Sequence, residues 1–590
     1  MERHMIGNSV KLGLTIVLAC CFYWTETVAQ DPAPREKQKF DYDWRFSKGD
    51  FPAASKKEFD DSQWQLLNVP HDWSITDTFS KDNPTGAPGG YASGGVGWYR
   101  KSFDLGAEDA SSLYSIEFGG VYENSDVWIN GQFLGKRPFG YISFNYDLTP
   151  YLVFGGENVI AVRVDNSNQP NSRWYTGSGI YRHVWLIRTN KLRIARHGVF
   201  ATTQEISDDS AVLEVRTTLK NSGDEKSASL LSQVYSASNE RVSQIESPLK
   251  LSRDGQGEVV QAITVDHPEL WSPDDPNLYR LLSIVKVGDK VVDTVTTTIG
   301  IREFSFSPDT GFTLNGKSMK FQGVNNHSDL GALGAAMNDR VLERRLEILK
   351  EMGCNAIRTA HNPPSEVVLD LADRMGFMVM DEAFDEWLES WPFDGVKPPE
   401  GKIKYGYHLH FNEWAEKDLT ELIRRDRNHP SVVLWSVGNE IPDSTFKVGT
   451  ERLKKLIEVV RREDPTRPVT AGITHMHMAN ESGFASALDV TGYNGGGGSA
   501  FMYEQDRETY PDRIFIASEV PHSFQTRGVY RTQSWYRDEN PLGGIMKVPD
   551  LAPEEVFTDV PKFYSSSYDN AMVRIGSRDS WRRTRDLPYM

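Results

Sequence analysis

Residues 431–441 read SVVLWSVGNEI. The first half is almost wholly apolar, and the chain then turns polar at Gly438, Asn439 and Glu440. A short apolar run with a polar end reads as a buried strand. Its amide and carboxylate are either the start of an ordinary loop or groups held at the mouth of a barrel. The sequence on either side decides between these.

Similar strands recur from about residue 304 onward. They are KFQGVNNH (320–327), NAIRTAH (355–361), FMVMDEA (377–383), VVLWSVGNE (432–440), PVTAGIT (468–474), DVTGYN (489–494) and RIFIASE (513–519). Amphipathic helices separate them, as in NDRVLERRLEILKEMG (338–353), with apolar residues at Val341, Leu342, Leu346, Ile348 and Leu349. Repeated strand–helix units argue for a parallel sheet, and this many in a row favour a TIM (β/α)8 barrel over residues 303–590. Seven strands are legible rather than eight. The rest of the chain to Met590 offers a loop and one helix candidate near 562–585, so the barrel is expected to lack its last strand through truncation.

Barrel active sites lie at the C-terminal ends of the strands. Here those ends carry Asn326 and His327, Arg358 and His361, Asp381 and Glu382, Asn439 and Glu440, His475, Tyr493 and Asn494, and Glu519. One polar strand end is ordinary; seven point to a polar pocket. Glu440 and Glu519 each follow an apolar run, and a carboxylate there can equally cap a helix N-terminus. As a pair across a pocket they are the equipment of glycoside hydrolysis, in which one carboxyl gives a proton and the other stays ionised to attack.

The first half of the chain is β-rich. In residues 35–190, SLYSIEFGGVYENSDVWINGQFLGK holds two alternating runs joined at Asn130-Gly131, a strong hairpin signal. This region is expected to be a jelly-roll β-sandwich. Residues 191–302 continue with about seven alternating strands, as an immunoglobulin-like β-sandwich has. The chain is thus multidomain β plus α/β, consistent with its 590 residues.

A formal charge of -17 argues against a nucleic-acid partner, which wants clustered Lys and Arg. Residues 1–29 read as a signal peptide: Arg3 and Lys11, an apolar run from 12 to about 24, then small residues ending at Ala29. The expected location is exported and periplasmic, with an outer-surface lipoprotein anchored at Cys20 or Cys21 as the lesser reading. No transmembrane segment remains after signal removal, and oligomeric state is left open. Maturation leaves Cys354 alone, so no intrachain disulfide can form. The GGGG at 495–498 lacks the Lys-Ser/Thr of a phosphate loop.

Several stretches resemble glycoside hydrolase family 2. DRNHPSVVLWSVGNE (426–440) is similar to its acid/base signature, and NAIRTAHNPPSEVVLDLADRMGFMVMDEAFDEW (355–387) resembles its other signature. FQGVNNHSDLGALG (321–334), DVTGYN with YPDRIFIASE, and SRWYTGSGIYRHVWL (172–186) resemble further family segments in the same order. The resemblance implies Glu440 as general acid/base and Glu519 as nucleophile, with retention of configuration. It implies Asn439 as the contact to the sugar 2-hydroxyl, and His327, Arg358 and His361 as lining for the terminal sugar. Tyr493, His522, Trp535, Arg173 and Trp174 complete the expected carbohydrate-binding set. Two departures matter. The family's usual Tyr after strand six is replaced by glycines, leaving Tyr493 or Tyr503 to hold Glu519. Glu386 stands where some members bind magnesium, but Leu388 occupies the place of the partner His, so neither a metal nor another cofactor is expected. The implied activity is an exo-acting β-galactosidase, with a β-glucuronidase second and a non-catalytic carbohydrate-binding remnant third.

Overall fold

The computed structural model describes residues 34–86, 89–389, 403–494 and 502–520. The expected signal at 1–29, the glycines at 495–498, the helix candidate near 562–585 and any eighth strand lie outside the described residues. No helix among the described residues is long and apolar enough to cross a membrane.

The first body is a β-sandwich. One sheet runs Glu36–Lys39, Val184–Thr189, Leu113–Phe118, Phe144–Asp147. The other has six strands, among them Trp44–Lys48, Gly95–Leu105, Gly156–Asn166 and Ser125–Ile129. Alternating residues from both sheets meet in a core holding Trp44, Trp73, Tyr99, Phe118, Val127 and Ile129. The expected hairpin is present: Ser125–Ile129 pairs with Gln132–Arg137, and Asn130 and Gly131 turn with φ of 48° and 82°. Two successive positive φ values match the strand twist, which is why Asn-Gly suits this turn. The second body packs a sheet of three strands against one of four over a core of Leu213, Val215, Leu230, Leu281 and Val285.

The third body is a seven-stranded parallel sheet in simple sequential order. Its strands are β1 (Gly323–Asn326), β2 (Ala356–Thr359), β3 (Met378–Glu382), β4 (Val432–Asn439), β5 (Val469–Ile473), β6 (Thr491–Asn494) and β7 (Phe515–Glu519). Every residue of β4 is buried, because helices cover one face and the barrel interior the other. The covering helices include α1 (Asp339–Glu351), α2 (Glu366–Met375), α3 (Phe411–Asp426) and α4 (Lys447–Glu463). Asn338 caps α1, its side chain accepting from the Val341 amide, and the buried stripe is Leu342, Leu346 and Leu349. Met380, Leu434 and Ile516 pack in one apolar cluster with Phe312, Leu314 and Trp271.

The jelly roll and the barrel share one core: Tyr122, Phe139, Tyr141 and Tyr181 pack in the same apolar cluster as Phe384, Trp387 and Trp435. Polar ties reinforce this contact. Arg182 donates to the carbonyls of Pro363 (2.8 Å) and Pro364 (2.9 Å), and Asp72 accepts from the Ala335 amide (2.9 Å). Jelly-roll side chains can therefore reach the barrel mouth from a fixed base.

Candidate active site

Arg358 is the hub of the barrel mouth. It is 4% exposed. Its Nε and Nη2 donate to Glu382 Oε2 (3.0 and 2.6 Å), Nη2 also to Asn439 Oδ1 (2.8 Å), and Nη1 to Asn325 Oδ1 (3.0 Å) and Glu519 Oε2 (2.9 Å). One side chain on β2 thus gathers groups from β1, β3, β4 and β7, which requires the sheet to curl. Glu382 is wholly buried and also accepts from Ser436 Oγ (2.6 Å), with His361 Nδ1 at 2.7 Å from its other oxygen. Burial alone would raise the Glu382 pKa, but Arg358 and His361 hold it below the usual carboxylate range.

Glu519 ends β7. Besides Arg358 it accepts from Asn494 Nδ2 (3.1 Å), and His361 Nε2 lies 3.6 Å away. The β6–β7 register slips at this point, Tyr493 pairing with Ala517 but Asn494 with Glu519. Such a bulge re-aims the side chains that follow it.

Glu440 follows β4. The β4–β5 register is also irregular here, between Ser436 and Asn439. Glu440 has φ of 48°, a left-handed conformation uncommon outside glycine, and its amide donates to the Gly472 carbonyl (2.6 Å). The chain bends sharply there, and the carboxylate meets Thr474 Oγ1 (2.6 Å) and Arg173 Nη1 (3.0 Å). Asn439 is fully buried, its Oδ1 accepting from Arg358 and from Asn494 Nδ2 (3.0 Å) while its Nδ2 donates to Asp385 Oδ1 (3.0 Å).

Arg173 enters from the jelly roll. Its loop is pinned by Asp72, which accepts from the Ser178 amide (2.9 Å) and the Tyr175 hydroxyl, and by Asn166, which donates to Ser178 Oγ (2.7 Å). Arg173 makes a two-pronged pair with Asp385, Nε to Oδ2 at 3.0 Å and Nη2 to Oδ1. Burial would lower the Arg173 pKa, but Asp385 and Glu440 raise it, so the guanidinium stays charged. Trp174 stands with its ring 4.8 Å from His327 and 5.2 Å from His361, and those two rings are 5.1 Å apart. Burial holds the His327 pKa down to about 3, so this ring is neutral at physiological pH.

Of the residues expected at the site, Glu440, Glu519, Asn439, Arg358, His361, His327, Arg173 and Trp174 converge. His522 and Trp535 lie outside the described residues. Tyr493 does not converge. It is fully buried, its hydroxyl donates to Asp506 Oδ2 (2.7 Å) and its ring stacks on Tyr503 at 4.4 Å. Neighbours on a strand point to opposite faces, so Asn494 takes the pocket face and Tyr493 the helix face. Asn494 and Arg358 hold Glu519, not Tyr493 or Tyr503. Glu382, Asn494 and Asp385 are additions to the expected set. The first two end strands and were visible as such; Asp385 sits in a loop and carries no local signal. At the position compared with magnesium-binding members, Glu386 Oε1 lies 3.2 Å from the His408 amide and 3.2 Å from its Nδ1, and Leu388 packs against the core.

Three family models match in order. They are the sugar binding domain of glycosyl hydrolases family 2 over 38–190, glycosyl hydrolases family 2 itself over 193–302, and the TIM barrel domain of that family over 308–490. The chain belongs to glycosyl hydrolases family 2. It is 42% identical to a β-galactosidase of Bacteroides ovatus, over 95% of this chain and 67% of that protein. It is 29% identical to a β-glucuronidase of Formosa agariphila, over 88% of this chain and 52% of that protein. The crystal structure of a β-glycosidase from Bacteroides vulgatus superposes with a TM-score of 0.80 at 40% identity, covering 94% of this chain and 69% of that one. The chain therefore spans between about half and two thirds of the length of these relatives.

Proposed function

We propose that this family 2 chain carries the catalytic centre of a retaining exo-β-glycosidase that removes terminal β-linked sugars. The observation that carries this reading is that Glu440, just after β4, and Glu519, at the end of β7, stand at one polar mouth, each held by an arginine. Glu519 is stabilised as a carboxylate by Arg358 and Asn494, the form a nucleophile needs. In the first half-reaction Glu519 bonds to the anomeric carbon, the glycosidic C–O bond breaks, and Glu440 gives its proton to the leaving oxygen. In the second, Glu440 takes a proton from water as that water attacks the same carbon and releases Glu519.

The substrate we favour is a β-galactoside. The Bacteroides ovatus relative, 42% identical over 95% of this chain, bears that name. A β-glucuronide is the second reading, supported by the name of the Formosa agariphila relative. Hydrolysis of nitrophenyl β-galactoside and β-glucuronide separates them: preference for the glucuronide overturns the first. Glu519→Ala should lower turnover by several orders of magnitude on either. Glu440→Ala should slow poor leaving groups far more than good ones, since only they need the proton. Equal losses on both overturn its assignment, and sugar binding without turnover by the unaltered chain favours a non-catalytic protein. Export remains part of the proposal, tested by sequencing the N-terminus of the mature protein.

A further inference from the structure

The two arginines of the site are used alike. Arg358 joins Glu519 to Glu382, and Arg173 joins Glu440 to Asp385. Glu382 is deep in the barrel and helps to hold Arg358. Asp385 has no part in the reaction as written, yet it takes two prongs of the Arg173 guanidinium and the Asn439 amide.

We propose that Arg173 and Asp385 are a matched pair of positioning residues for Glu440, the arginine orienting its carboxyl and the aspartate balancing the arginine's charge through the proton cycle. The proposal rests on Glu440 being the acid/base. That group must be protonated in one half-reaction and ionised in the other. An arginine alone at 3.0 Å would lock it in the ionised form; a carboxylate beside an arginine commonly drops by about 1–3 pKa units. Asp385 carries the opposite charge on the same guanidinium and offsets this. It also keeps Arg173 paired when Glu440 becomes neutral, so no buried cation is left without a partner. Thr474 Oγ1, on the other oxygen of Glu440, can donate or accept and so suits both states.

Further titratable groups near the pair lie on two sides, with His327 beside Arg173 as well. Across the pocket are Glu519, Arg358, Glu382 and His361, a cluster bound internally. Behind Asp385 are Glu386 with His408, and Glu123 from the jelly roll. None of these bonds to Glu440. The cation–π contact of Arg173 with its neighbour Trp174, at 5.1 Å, further fixes the guanidinium.

The test is kcat/KM against pH with the phenyl β-glycoside of the sugar the chain cleaves, whose alkaline limb reports the general acid of the free enzyme. Arg173→Met should move that limb up by about one pH unit, and Asp385→Asn should move it down by about one. The double variant should return to near the wild-type limb, and Arg173→Lys should stay closest to it. Limbs that move together, or stay in place while the rates fall, would show a structural or sugar-binding role and overturn the proposal. Should Arg173→Met fail to fold, Asp385→Asn decides alone: it must lower the limb. Azide rescue of Glu440→Ala separates the two levels. Its absence removes the acid/base assignment and the pair with it; rescue without split limbs removes the pair only.

Discussion

Arg358 and Glu519 are joined at 2.9 Å although they stand on β2 and β7, strands that are not neighbours in the sheet. The sheet must curl for them to meet, so this contact spans the curled sheet and anchors the proposed nucleophile.

Arg358→Met removes that anchor and leaves Glu382, with no exposed surface, without its guanidinium. Breaking a buried pair this way costs about 3–5 kcal/mol. Urea unfolding should show a loss of that order, and kcat/KM should fall at least a thousandfold. Arg358→Lys should recover stability better than rate, because one ammonium cannot reproduce the forked contacts.

Asn494→Ala takes one donor from Glu519 and one from Asn439. A hydrogen bond to a charged group is worth about 1.5–3 kcal/mol, so turnover should drop by about tenfold to a hundredfold. Inactivation by a 2-deoxy-2-fluoro glycosyl fluoride, which reports only the first attack, should slow by a similar factor. An unchanged rate of inactivation would show that Asn494 does not support the nucleophile.

Tyr493→Phe tests which face Tyr493 occupies. The variant loses the hydroxyl contact to Asp506, which still has Asn480 Nδ2 at 3.1 Å. Stability should fall by about 1 kcal/mol, with kcat/KM unchanged within about twofold. A large loss of rate would put this hydroxyl in the pocket after all.

His429 makes stability depend on alkaline pH. It follows α3, and its Nδ1 lies 2.6 Å from Asp373 Oδ2 on α2. Burial would lower its pKa, but the Asp373 carboxylate raises it to about 9, against about 6.5 in the unfolded chain. A raised pKa contributes stability that is full below about pH 6.5 and lost as pH rises through about 9. Between pH 6 and pH 10 the wild type should lose about 3 kcal/mol more unfolding free energy than His429→Gln. Parallel pH profiles would show that the pair contributes no net stability.

Much of the architecture was legible because burial imposes a local rhythm. The apolar runs at 432–440 and 377–383 announced β4 and β3, and the stripe Leu342, Leu346, Leu349 announced α1. The polar strand ends then pointed to a pocket, and Glu440 and Glu519 stood out as carboxylates closing apolar strands. The placement of Tyr493 was not legible in the same way, since period two says that Tyr493 and Asn494 face opposite ways but not which faces inward. The register with β7 decides that, and it slips by one residue at that very point. Asp385 was missed for a related reason: its meaning lies in Arg173, 212 positions earlier in the chain.

From the amino-acid order alone, then, come the three bodies, the strands and helices of the barrel, and the pair of acids on which the chemistry is proposed to turn. All of these rest on hydrophobic periodicity and turn residues acting over a few positions. Only the tertiary structure decided which groups surround each acid, and that Arg358 and Arg173 each bridge one acid to a second carboxylate. Charge pairing acts through space between side chains brought together by folding, so it leaves no rhythm along the chain.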